Sequence, residues 1–201
     1  MKNAKTGQAL GKKRMSTETL VLGAILSALV VVLQLLGSFI RFGPFSISLV
    51  LIPIVIGAAT CGTVVGAWLG GVFGLAVLLS GDAATFMAIN VPGTIITVML
   101  KGILCGLAAG LIYKLFENRN RYLAVIAAAI VCPLVNTGIF LLGCTVFFLD
   151  TLSEWGAGAG HDNVFVYMIV GLVGLNFVFE LISNVVLSPA SVRLIALIKK
   201  K

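Results

Sequence analysis

Two ionisable side chains sit where hydrocarbon is expected, and their placement decides what this chain can do. Lys101 interrupts the apolar run ITVMLKGILCGLAAG, and Glu180 interrupts VFVYMIVGLVGLNFVFELISNVVL. A charge at bilayer depth costs on the order of 2.5–3.5 kcal/mol even on the lenient insertion scales. An ammonium in low dielectric binds a carboxylate far more strongly than in water. Lys101 therefore suits either an anionic ligand or an internal partner. The internal candidate is Glu180, which shares a polar stripe with Asn176 and Asn184 at i, i+4, i+8 spacing. Counted from the helix starts read below, Lys101 lies roughly 10 Å deep and Glu180 roughly 24 Å deep at 1.5 Å per residue. The difference of about 14 Å argues against a direct pair and leaves both partners for Lys101 open.

Other chemistries lack their residues. There is no GxxxxGK[ST] for ATP hydrolysis, no HExxH, no GxSxG and no carboxylate cluster for a metal. The chain reads as a non-enzyme with no cofactor and no metal. The single histidine, His161, falls in a connecting loop. Cys61, Cys105, Cys132 and Cys144 have no CxxC or metal spacing and read as small buried hydrophobes.

The elements that must hold these side chains are membrane helices. Of 201 residues, 60% are hydrophobic and 10% charged, against about 25% charged in soluble domains. Continuous apolar runs near the roughly 20 residues needed to cross a bilayer exclude an alternating β-barrel pattern. Six helices are expected, at roughly 18–40, 47–60, 63–80, 94–116, 122–148 and 164–187. Ser16-Thr17-Glu18 supplies helix-start chemistry for the first. The segments between the third and fourth, and between the fifth and sixth, read as a turn-rich connection and a Gly-rich acidic loop. An amphipathic basic tail follows Pro189. Residues 1–16 form a basic N-terminal segment, 17–198 the membrane domain and 199–201 a basic tail. No cleavable signal peptide is expected.

Charge orients the bundle. Twelve of the fourteen basic residues lie in the N-terminal segment, in the connection after the fourth helix (Lys114, Arg119, Arg121) or at the C-terminal end. Asp82, Asp150, Glu154 and Asp162 fall on the opposite side. The positive-inside rule places both termini in the cytoplasm and explains the net charge of +7 by topology rather than nucleic acid. The expected fold is all-α, a polytopic six-helix bundle with the lipid bilayer as solvent. Gly66, Gly70 and Gly74, and Gly102, Gly106 and Gly110, recur every four residues and predict close helix contacts. Lys101 points some 100–180° away from the second ladder, toward another neighbour, a cavity or lipid.

Ala24-Ile25-Leu26-Ser27-Ala28 carries an AxxxA near the cytoplasmic end of the first helix. With six helices, basic cytoplasmic ends and turn-rich outer connections, the chain resembles the substrate-binding S component of energy-coupling factor (ECF) transporters over roughly residues 17–198. SISLVLIPIVIGAA and VCPLVNTGIFLLGC look most like the pantothenate branch. The resemblance implies a vitamin-binding subunit in a prokaryotic plasma membrane. Such a subunit docks on a T component coupled to two ATP-binding subunits and topples to deliver its ligand. It implies docking through small residues of the first helix, matched here by Ala24 and Ala28. It implies a site near the outer face, with Lys101 on the carboxylate and Asn90, Asn136 and Asn176 as hydrogen-bonding groups. Arg41 is a second anion candidate or an interfacial anchor, and Trp68, Phe86 and Tyr167 are candidate walls. Alternatives are an S component for another vitamin, such as riboflavin or folate, or a self-contained secondary transporter.

Overall fold

The computed structural model describes residues 16–39, 41–42, 45–46 and 49–198, without the side chains of 41–42, 45–46 and 198. The elements run α1 (Thr17–Gly37), a two-residue antiparallel pair β1 (Arg41–Phe42) and β2 (Phe45–Ser46), α2 (Leu51–Cys61) and α3 (Thr63–Ser80). They continue with α4 (Ala84–Met87), α5 (Val91–Phe116), α6 (Arg121–Phe147), α7 (Leu149–Gly158) and α8 (Val164–Val166). A π-helical segment (Tyr167–Leu172) and α9 (Gly174–Ile198) complete the chain. Five of these helices are long and apolar enough to cross a membrane. Their outward faces are apolar too: Val64, Leu79 and Leu175 are each more than three-quarters exposed.

The sixth crossing is made differently from the expectation. With 11 residues, α2 is only about 16 Å long and cannot cover about 30 Å of hydrocarbon by itself. The crossing itself remains. Gly23 lies against Val65, while Gln34 bonds Ser80, so α1 and α3 run the same way. The chain must therefore return across the bundle between Ser38 and Gly62. Most of α2 is buried, from Leu51 to Ala59, making it an inner strut packed against its neighbours rather than a lipid-facing span.

Local chemistry explains most boundaries. Ser16 caps α1 by accepting from Thr19 N–H at 3.2 Å. Asn90 caps α5 by accepting from Gly93 N–H at 2.9 Å, which starts that helix three residues before the expected Thr94. Asn120 caps α6 through the N–H groups of Tyr122 and Leu123. Two expectations need correction. The Gly-rich acidic loop after α6 is helical as α7, because Leu152 and Gly156 bury one face while Asp150 and Glu154 stay outside. The final helix does not stop before Pro189 but runs through it to Ile198. Proline lacks the N–H that would bond Val185 O; Ser188 Oγ donates to that same carbonyl at 2.7 Å. A hydroxyl thus replaces the missing backbone donor, as membrane helices permit. The basic tail is accordingly the last turns of α9, fastened to α6 by Arg121 Nη2 donating to Ile195 O at 3.2 Å.

The two glycine ladders face one another. Gly66 lies against Gly106, Gly70 against Gly102, and Gly74 against Val98. A Cβ on Gly66 would sit 2.6 Å from Gly106 O and 2.7 Å from Ala58 Cβ, so backbone meets backbone along the α3–α5 seam. By contrast, a Cβ on Gly138 of α6 meets nothing within 4 Å. Gly66→Ala should lower the stability of the detergent-purified protein by about 1–3 kcal/mol through overpacking. Gly138→Ala should leave it unchanged or raise it by about 1 kcal/mol through helix propensity. Thermal unfolding of the two variants checks this; equal melting temperatures would mean the seam is not close-packed.

Candidate functional site

Lys101, on the face of α5 away from the glycine seam, lines a cavity walled by α3, α5, α6 and α9, to which α1 contributes Gln34. The cavity is partly open and encloses about 740 Å³ of empty space when the part open to solvent is included. Its polar lining comprises Gln34, Asp82, Thr94, Thr97, Lys101, Asn136, Thr137, Asn176 and Glu180. Thr94, Thr97 and Lys101 fall at i, i+3, i+7 on α5, and Asn176 and Glu180 at i, i+4 on α9, so helical periodicity aims each set at one space.

Lys101 Nζ lies over two rings, 5.6 Å from the centroid of Phe73 and 5.2 Å from that of Phe140. Such cation–π contacts favour an ammonium in apolar surroundings by about 0.5–2 kcal/mol. Asn176 Nδ2 donates to Glu180 Oε1 at 3.3 Å, and Asn136 adjoins the same carboxylate. Lys101 and Glu180 thus face one cavity, and neither is ion-paired with another described residue. The separation of about 14 Å expected from sequence shrinks by about 4.5 Å because α5 begins three residues early.

Three buried polar atoms on the cavity lining have no hydrogen-bond partner: Thr97 Oγ1, Asn136 Oδ1 and Glu180 Oε2. An unmet polar group typically costs about 1–3 kcal/mol, and native interiors tolerate few of them. Three converging beside a lysine mark a place built to receive hydrogen-bonding groups from outside the chain. The lysine can donate, Thr97 can donate or accept, and Asn136 Oδ1 and Glu180 Oε2 can only accept.

Phe86, Phe140 and Phe148 on the cavity lining belong to an aromatic cluster. Phe86 on α4 meets Phe140 edge-on at 5.5 Å, Phe148 at 5.1 Å and Trp155 at 6.1 Å. Leu152, Met168 and Leu172 complete this cluster, separate from the main core. Beside it, Gln34 Nε2 donates to Asp82 Oδ2 and, at 3.4 Å, to Ser80 Oγ. Those bonds tie α1 to the connection that carries Phe86.

Of the residues expected from sequence to form a site, Lys101, Asn136, Asn176 and Phe86 share this lining. Asn90 does not: its side chain caps α5. Tyr167 packs against Gly156, Gly171 and the ring of His161, holding α7 to the last helix. Trp68 points outward, 65% exposed, and donates from Nε1 to Ser27 Oγ at 3.2 Å. The side chain of Arg41 lies outside the described residues. Sequence reasoning missed Gln34, Asp82, Thr94 and Thr97, and set Lys101 too shallow relative to Glu180. The 94–97–101 spacing carried the threonines in plain view. Gln34 had only its isolation in an apolar helix to mark it, and Asp82 had no signal beyond its position in a connection.

Searches against characterised proteins returned no match. The family model for the substrate-specific component of ECF transporters matches residues 18–192, from the first turn of α1 into the last turns of α9. The chain belongs to this family of substrate-specific components of ECF transporters, multi-pass membrane subunits that bind vitamin-type substrates and are not enzymes.

Proposed function

We propose that this chain is the pantothenate-binding S component of an ECF importer in a prokaryotic plasma membrane. The observation carrying the reading is Lys101, an ammonium facing a cavity with three unpartnered polar atoms. Pantothenate offers a carboxylate for the lysine, and an amide and hydroxyls for Asn136, Asn176 and Thr97. Phe86 lines the cavity, and we place the moving part of the site, which admits the ligand, at its aromatic cluster. That cluster rests on the short helix α4 and its connection, the kind of segment that moves most easily. Arg41 remains a second anion candidate under this reading.

Delivery would follow from docking on a T component coupled to two ATP-binding subunits. Ala24 and Ala28 are exposed on one face of α1, beside exposed Val21, Ile25 and Val32. Small side chains there let a partner helix approach closely. An outward apolar face alone also suits lipid, and the docking role is part of the proposal.

Two outcomes test it. Lys101→Met should weaken pantothenate binding to the purified protein by about 10- to 100-fold, the loss of a hydrogen bond to a charged group. Isothermal titration measures this; undiminished affinity, or riboflavin as the molecule extracted with the purified protein, would remove the lysine from ligand binding. Ala24→Trp with Ala28→Trp should cut cellular uptake of labelled pantothenate at least about ten-fold, since bulky residues block close helix approach. Binding by the isolated subunit should stay within about two-fold. Uptake that persists without the ATP-binding subunits would point instead to a self-contained transporter.

A further inference from the structure

A ligand that offers only a carboxylate to Lys101 leaves a second ionisable group of the lining unused. That group is Glu180, 2% exposed. Asn176 occupies Oε1, and Oε2 has no partner. Its neighbour one turn along does not supply a donor, because Asn184 Nδ2 is committed to the backbone oxygen of Glu180 at 2.8 Å. Further along the same face, Ser188 and Ser191 satisfy themselves on the carbonyls of Val185 and Leu187. Asn184 Oδ1 is buried and unpartnered as well, but it lies off the cavity lining, so Glu180 Oε2 is the unmet atom of this stripe that belongs to a lining residue.

The acceptors are grouped. Glu180 Oε2 and Asn136 Oδ1 are both buried and unpartnered on the lining, and a carboxylate oxygen has only lone pairs to offer. They call for donors, whereas Lys101 calls for an acceptor. We infer that Glu180 is a substrate-binding residue that accepts, through Oε2, a hydrogen bond from a hydroxyl or N–H donor of the substrate. The substrate therefore carries two kinds of group: a carboxylate that meets Lys101, and a separate hydroxyl or N–H donor that meets Glu180. This rests on the anion-binding reading of Lys101 and extends it from charge to shape. A site built around a substrate hydroxyl rejects the analogue lacking it far more strongly than an apolar pocket rejects a lost methylene.

The test is discrimination rather than affinity alone. Wild-type protein, Glu180→Gln and Glu180→Met are titrated with pantothenate and with an analogue in which both hydroxyls are replaced by hydrogen. Wild type should prefer pantothenate at least about ten-fold, from the unmet acceptor that the analogue leaves behind. Glu180→Met should bring that preference to within about two-fold while keeping the analogue's affinity near wild type. Glu180→Gln, which retains an acceptor oxygen in the same shape, should keep an intermediate preference and guards against a misfolded methionine variant. A preference unchanged in both variants, an equal loss for both ligands, or no preference in wild type would overturn the inference. If wild type does not bind pantothenate, that assignment falls separately, and mass spectrometry of the co-purifying molecule decides. A carboxylate bearing a separate hydroxyl or N–H supports the role of Glu180; a ligand without such a donor sinks it.

Discussion

An ammonium and a carboxylate held inside one membrane bundle constrain everything around them. Neither could be placed singly in hydrocarbon without a cost of several kcal/mol, yet Lys101 and Glu180 face a common cavity without an ion pair to another described residue. Their fields compensate at a distance while their hydrogen-bonding capacity stays open. Direct pairing would use up the groups a ligand needs. Complete separation would leave two isolated charges in low dielectric. The arrangement between these limits requires walls that keep both groups from collapsing onto each other. Phe73 and Phe140 supply that restraint at the lysine, and Asn176 and Asn136 do so at the glutamate.

The walls depend in turn on the glycine seam. Because α3 and α5 meet backbone to backbone, the polar face of α5 is turned toward α6 and α9 rather than toward α3. Lys101 and Gly102 are adjacent in sequence, and the seam that locks Gly102 against Gly70 fixes the direction of Lys101 as well. On the far wall, the π-helical segment Tyr167–Leu172 precedes Asn176 and Glu180. Val173 N–H bonds Met168 O at 3.2 Å, one residue beyond the α-helical partner. A single π-helical turn resets the helix register of everything that follows, and such interruptions are frequent at functional sites.

Much of this was legible in sequence. Continuous apolar runs gave the helical membrane class, and the four-residue glycine spacing gave the close contact. Mutual facing of the ladders was not legible, because spacing reports a face and not its partner. The length of α2 was obscured because the apolar run already includes Leu49 and Val50 ahead of the helix start at Leu51, and hydropathy alone does not mark where a helix begins. The early start of α5 was concealed by Asn90, which looked like a ligand residue and is a cap. The relative depth of Lys101 and Glu180 was misjudged because linear counting assumes uniform helices with known starts; α5 begins three residues early, and the last helix contains a π-helical segment.

On the proposed docking role, the first helix would connect the docking face to the site. It is continuous from Thr17 to Gly37, so the exposed Ala28 and the buried Gln34 lie about 9 Å apart along one rigid rod. Gln34 holds Asp82 and Ser80, and Asp82 begins the connection that carries Phe86 over the cavity. A partner pressing on the small-residue face would therefore act on the same helix that anchors the closure of the site. In a close-packed interior, such a shift is transmitted rather than absorbed. Docking and closure would be linked mechanically through the Gln34–Asp82 contact, without requiring any contact between the partner and the ligand.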